Sequence, residues 1–362
     1  MRKWVLWLTC VILLFCYAAA AWAQSTETPA TVGEERQQEQ KQKELATRVK
    51  TVEMGGALLP AGRLVIEPSF EYDHISGTNT SISGFTIFQA ILIGRVSTQK
   101  LKRDLFIPAL TIRAGLKDTE LYVRIPYFFR TDNLVFPVSG GATTSLVGRS
   151  FSDNHVGDIT SYIYYHAIRE GQWKPWVPDT VLRFGVNFPT GQDPYSLNRR
   201  FIPDLGAIIP VQFPTGTGHW GVVIGSTFVK TVDPAVLFLN LAWYENFSRQ
   251  VGFAGSPAID FGNIKLGNTF EYSAGLILSL QERLSMSFAI NQRITGGTTQ
   301  NGTTLTDSSI NAISLNIGGT YVIPPRMAID LVVGIGLSSD APDVSMLIRV
   351  PILFKLGNLG KK

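Results

Sequence analysis

The sequence predicts a transmembrane antiparallel β-barrel of twelve strands, and three observations carry that prediction. About a dozen segments alternate apolar and polar residues with period two, which places the two sets on opposite faces of a strand. Their connections are alternately short and long, the asymmetry of outer-membrane barrels with short periplasmic turns and long outer loops. The chain is also 45% hydrophobic, with a mean hydropathy of +0.13. Yet beyond residue 23 no uncharged apolar run reaches the ~18 residues of a membrane helix. A barrel reconciles the two, because its apolar surface is spread over alternate residues.

Arg2 and Lys3, the apolar run 4–21 and Ala21-Trp22-Ala23 form a signal peptide over residues 1–23, so the mature chain begins near Gln24. Cys10 and Cys16 lie inside the removed segment, which leaves no thiol for a disulfide or a nucleophile. The net charge of +4, or +2 once Arg2 and Lys3 are removed, is too weak to argue for nucleic acid. Residues 24–54 are polar and rich in Gln, Glu and Lys, with Leu45, Val49 and Val52 at helical spacing. Two readings stand side by side for this periplasmic segment: a solvated, disordered tail with an amphipathic turn, or a short helix that coils with its neighbours or enters the pore. Gly55 and Gly56 supply a joint at which a gating helix could swing.

The barrel is expected over residues 55–356, followed by a short basic tail, 357–362. Its first strand is Leu64, Ile66, Pro68, Phe70 and Tyr72 alternating with Val65, Glu67, Ser69 and Glu71. Strands over 104–116, 119–131, 153–168 and 177–188 follow, then 219–230, 235–247, 264–280, 284–294, 309–322, 327–337 and 344–354. In the last, Val344, Met346, Ile348, Val350, Ile352 and Phe354 form one unbroken apolar face that closes the sheet and removes its edge. Two further apolar pieces, 84–96 and 205–213, would raise the count to fourteen. Counting both would put the long 131–153 connection in the periplasm and the short 116–119 turn outside. Both are therefore assigned to long loops, folded inward or not.

With the apolar parity of each strand facing lipid, the opposite parity places Arg63, Glu67, Glu71, Arg113, Glu120, Arg124, Arg130, Asp179, Arg183, Glu271, Arg293, Asp330 and Arg349 in the lumen. A charge buried alone costs several kcal/mol, so these must be wet or paired. They form either a paired Arg/Glu network bracing a narrow lumen or a polar, weakly anion-favouring water path. Tyr127, Phe128 and Phe129, with Trp173, Trp176, Trp220, Trp243 and Tyr244, suit the aromatic girdles of the membrane interfaces. The four histidines are scattered, with no metal-ligand spacing, and Asp153-Asn154-His155 is the one local group of catalytic type. Neither an enzyme nor a cofactor is expected.

Several phrases carry a resemblance. Gly157-Asp158-Ile159, and Val181–Phe188 running into Pro189-Thr190-Gly191, resemble the outer-membrane family named for the MetA pathway of phenol degradation. Gly55 to Pro60, Gly84-Phe-Thr-Ile87, Arg103-Asp104, Ile125–Arg130 and Pro214–Gly218 before Trp220 resemble the branch of such barrels that exports functional-amyloid subunits. The resemblance covers roughly residues 55–354. It implies a transporter of the bacterial outer membrane that passes small solutes, hydrophobic or aromatic ones among them, passively. Its other branch implies an export channel for unfolded polypeptide, with a homotrimeric N-terminal coiled coil. A rim enzyme or an adhesin is the third reading. The expected partners are outer-membrane lipid and the solute or polypeptide in transit.

Overall fold

The structure, a computed structural model, describes residues 58–77, 100–140, 143–197, 199–202, 207–210, 212–253, 259–306 and 308–355. The signal peptide, the 24–54 segment, the Gly55-Gly56 joint, the 84–96 piece and the basic tail lie outside the described residues. Twelve antiparallel strands close into one barrel. They are β1 (Arg63–Gly77), β2 (Lys100–Leu116), β3 (Thr119–Gly140) and β4, which runs Thr143–Val156 and resumes as Ile159–Ile168 after Gly157-Asp158. Next come β5 (Asp179–Phe188), β6 (Gly221–Val232), β7 (Ala235–Asn246), β8 (Thr269–Gln281) and β9 (Leu284–Thr295). Last are β10 (Ile310–Ile323), β11 (Met327–Gly336) and β12 (Val344–Arg349, resuming as Ile352–Lys355).

Each strand pairs with its sequence neighbour, and β12 closes onto β1 through Phe70↔Ile348 and Ile66↔Ile352. The break in β12 falls at Pro351, which has no N–H to give; its carbonyl still accepts from the Ala328 N–H (3.2 Å), and the Val350 N–H donates to Pro68 O (3.0 Å). Closure leaves no edge, and every barrel strand finds its backbone partners within the sheet, as a bilayer requires.

Side-chain parity sorts the wall. Phe70, Phe106, Leu110, Ile163, Phe184, Ile224 and Ile290 are exposed on the outside, a continuous apolar belt far larger than a soluble protein tolerates. Only lipid can cover such a surface, so the barrel belongs in the bacterial outer membrane. Trp173 and Trp176, each 71% exposed, stand in the turn between β4 and β5, while Trp220 and Trp243 stand exposed at the other rim.

Three expectations need correction. The strand expected over 264–280 begins at Thr269; Ile264 and Lys265 belong to a separate loop sheet of Arg249–Phe253, Ile259–Lys265, Thr299–Gln300 and Thr303–Thr304. Ile264 and Leu266 keep the spacing of Phe270 and Tyr272 in sequence, but regular strand stops at Lys265 and starts again at Thr269. Phe128 and Tyr244 do not join the aromatic girdles: Phe128 is buried, packed on Gly157, and Tyr244 lines the interior. The 205–213 piece keeps its expected place in a long loop: its residues Ala207–Pro210 lie in the loop after β5, paired with Arg199–Ile202 in a two-stranded sheet separate from the barrel sheet. The Ser/Gly/Thr-rich connection expected over 131–153 is itself largely strand, with Tyr127↔Val156 to Gly140↔Thr143 extending β3 and β4 together.

Candidate functional site

The inner wall brings charges from distant strands into ion pairs. Arg113 Nε donates to Glu120 Oε1 (2.6 Å), both side chains are almost completely buried, and the Leu59 N–H donates to Glu120 Oε2 (2.8 Å). Arg349 pairs with the fully buried Asp330, which also accepts from Thr320 Oγ1 (3.0 Å). Glu67, itself buried, acts electrostatically on both Arg113 and Arg349. Glu120, Arg113, Glu67, Arg349 and Asp330 thus alternate in sign across the seam where the barrel closes. Each charge there is met by another, the condition on which burial is tolerable.

Elsewhere, Arg124 pairs with Glu71 (3.1 Å), Arg293 with Glu271 (2.6 Å), and Asp179 with His166. Arg130 shares Asp132 with Arg103, and the Arg130 guanidinium lies 4.1 Å over the Phe213 ring. Arg103 and Asp132, absent from the expected lumen set, obey the same alternation just beyond the bounds expected for their strands. Arg63 begins β1 at the short-turn end, and the Arg183 guanidinium on β5 lies over the Tyr162 ring (5.4 Å).

A cavity of about 540 Å³ occupies the lumen, walled by residues of almost every barrel strand, among them Glu71, Arg124, Tyr162, Tyr244 and Asn316. A second, of about 360 Å³, is lined by Asn240, Glu271, Ser273 and Asn291. Tyr164, Arg183, Arg293, Ser314 and Pro342 line both, so the two meet at a neck. Pro342 comes from the loop between β11 and β12, whose Ala341 is buried.

Toward the long-loop rim, three phrases distant in sequence converge on Asp158. Its carboxylate accepts from the Gly191 N–H (3.0 Å), the Thr217 N–H (2.7 Å), Thr217 Oγ1 (2.8 Å) and Asn187 Nδ2 (3.3 Å). Thr190 Oγ1 donates to Gly157 O (2.9 Å) and accepts from the Ile159 N–H (2.9 Å), bridging the break in β4. Gly191 and Gly216 pass back to back, and a Cβ on Gly191 would meet the Gly216 backbone at 2.6 Å. Beside them the buried His219 donates from Nδ1 to Phe247 O (3.0 Å) and accepts at Nε2 from the Tyr195 hydroxyl (2.8 Å). Burial lowers the His219 pKa, despite nearby Asp193 and Asp158, which keeps it neutral at pH 7.

Asp158→Ala should therefore release the 190–218 loop. Four donors lose their acceptor while the wall of β4 and β5 stays paired. Limited trypsin digestion of the folded barrel is expected to cut within that loop at least about tenfold faster, since local opening sets cleavage of a native protein. Unaltered digestion would show that Asp158 does not hold the loop.

Of the four histidines, His74 meets Asp104 (2.8 Å), His155 meets Asp153 (3.3 Å) and His166 meets Asp179. Among the described residues no group of three or more His, Cys, Asp or Glu is placed to hold a metal ion. Asp153 Oδ2 accepts from the Phe213 N–H (3.0 Å), so the Asp153-Asn154-His155 group is engaged with the loop.

No protein-family model matches the chain. Among solved structures, it is similar to an outer membrane channel from Pseudomonas putida F1, with a TM-score of 0.54 and 15% identity over 82% of this chain and 97% of that one. The translocator domain of the autotransporter NalP from Neisseria meningitidis aligns at a TM-score of 0.44 and 11% identity, over 86% of this chain and 95% of that one. A deletion mutant of the TodX monoaromatic hydrocarbon channel aligns at 0.40 and 10% identity, covering 82% and 90%. At such identities the first similarity is one of fold, that of an outer-membrane barrel.

Proposed function

We propose that the barrel is a passive, water-filled channel for small solutes, hydrophobic and aromatic ones among them, in keeping with the transporter family its strand phrases resemble. The observation that carries this reading is the pair of joined cavities inside the closed wall, about 540 and 360 Å³, lined by paired charges, amides and tyrosines together. Volumes of this order suit small molecules, and mixed polar and aromatic walls suit solutes with both kinds of surface. The P. putida protein of similar fold is itself described as an outer membrane channel, which supports the reading.

Proteoliposome swelling tests this. Vesicles carrying the full-length protein should swell in iso-osmotic arabinose faster than protein-free vesicles, and much more slowly in an oligosaccharide too large for the neck. Equal rates with and without protein would refute a passive channel.

A further inference from the structure

We propose that the neck of the lumen is a binding subsite for a flat organic anion, a ring bearing a carboxylate or sulfonate, with Arg183 as the anion ligand and the tyrosines beside it as stacking walls. This rests on the channel reading above and names the solute class that it favours.

One row of the sheet carries the argument. Across neighbouring strands the register runs Tyr164↔Arg183↔Gly225↔Ala242↔Glu271↔Arg293. Glu271 bonds to Arg293, its direct neighbour, at 2.6 Å, and acts on Arg183 only through space. Arg183 is three strands from Glu271, with only Gly225 and Ala242 between, a span of roughly 14 Å at ordinary strand spacing. Among the described residues no carboxylate lies within ion-pair distance of Arg183; its contact is the Tyr162 ring, 5.4 Å away. The acids of the larger cavity are not its partners. Glu71 meets Arg124, Asp158 holds the loops, and Asp73 stands four strands away on β1. Two guanidiniums, Arg183 and Arg293, thus face one carboxylate, Glu271, so the surplus charge at the neck is positive, and Arg183 is the one of the two not bonded to that carboxylate.

The surroundings give that charge a shape. Gly225 leaves the guanidinium its place, since a Cβ there would stand 3.2 Å from Arg183 Nε and 2.6 Å from Leu241 O. Gly185, the next inward position on β5, lets the Tyr162 ring lie across the strand. Tyr122, Tyr162 and Tyr164 form an aromatic cluster, with Tyr162 5.3 Å from Tyr122 and 6.0 Å from Tyr164 between ring centroids. A planar guanidinium takes an oxyanion through paired N–H donors, and tyrosine faces and edges take a ring. A small inorganic anion gains only the first contact. A cation gains no contact with the guanidinium and is repelled by it.

The test is block of KCl current through the full-length protein in planar bilayers, comparing sodium benzenesulfonate with sodium methanesulfonate. Both stay anionic, and only the first has a ring. Benzenesulfonate should half-block at about a tenfold lower concentration, the size of a favourable stacking contact. Arg183→Gln should raise the half-blocking concentration of both by about tenfold or more, as loss of a charge-assisted contact does. Tyr162→Leu should weaken only benzenesulfonate. Arg183→Lys, which keeps the charge at lowest risk to folding, should retain block by both while narrowing the gap between them. Equal block by the two sulfonates, or block indifferent to Arg183→Gln in a channel that conducts, would overturn the subsite and leave the channel reading standing. Absence of any KCl current in the wild-type protein would overturn the channel reading, and this inference with it.

Discussion

Glu120→Ala is expected to destabilise the barrel by about 3–5 kcal/mol, the cost of leaving a buried charge without its partner. The substitution removes the ion-pair partner of the Arg113 guanidinium, 3% exposed, and the acceptor of the Leu59 N–H as well. Glu67 lies close enough to act on Arg113 but is engaged with the Arg349 charge too, so it relieves only part of the loss. Urea unfolding of the barrel in lipid vesicles, followed by heat-modifiable gel mobility, reads the effect. The double change Arg113→Met with Glu120→Leu should restore most of the stability, because an apolar pair of similar volume replaces a buried ion pair at little cost. A single variant as stable as the parent would mean that water reaches this pair and that the seam does not depend on it.

The second large effect separates the two faces of the closing strand. Ile348 sits roughly midway along β12, opposite Phe70 on β1 and Leu331 on β11, within the outer apolar belt. Ile348→Arg should cost about 2–4 kcal/mol, as a cation facing hydrocarbon near the midplane does. Leu347, one residue away, stands opposite Glu71 and Val332 on the inner face. Leu347→Arg places its charge beside a carboxylate and the lumen cavity, so it should cost far less. Equal losses from the two variants would mean that the parity of β12 is reversed, and with it the assignment of every charge to the lumen.

Period-two alternation made the barrel legible because each strand here has two solvents, lipid and lumen, and a pleated strand sends successive side chains to opposite sides. The same rule, extended just beyond the expected strand bounds, would have found Arg103 and Asp132. Where residue type was read in place of parity, the reading failed. Leu239, Leu241 and Trp243 face outward in step, so Tyr244, one residue on from Trp243, must face inward, yet an aromatic near a strand end suggested a girdle. Phe128, between outward-facing Tyr127 and Phe129, failed in the same way. The Asp158 cluster was visible only as three separate phrases, since nothing local in the sequence joins residues 59 positions apart, as Asp158 and Thr217 are. That Arg183 has Tyr164 and Gly225, and no carboxylate, directly beside it likewise depends on register, and no single strand shows that.

Single-channel recording of the purified protein in planar bilayers tests the central claim most directly. A passive channel with a wet, charge-lined lumen should give discrete, long-lived steps of current that scale linearly with voltage in symmetric KCl. In a KCl gradient the reversal potential should shift toward the chloride equilibrium potential, because the surplus charge at the neck is positive. Silent bilayers containing correctly folded, heat-modifiable protein would contradict the channel, and a reversal potential on the potassium side would contradict the assigned charge of its lumen.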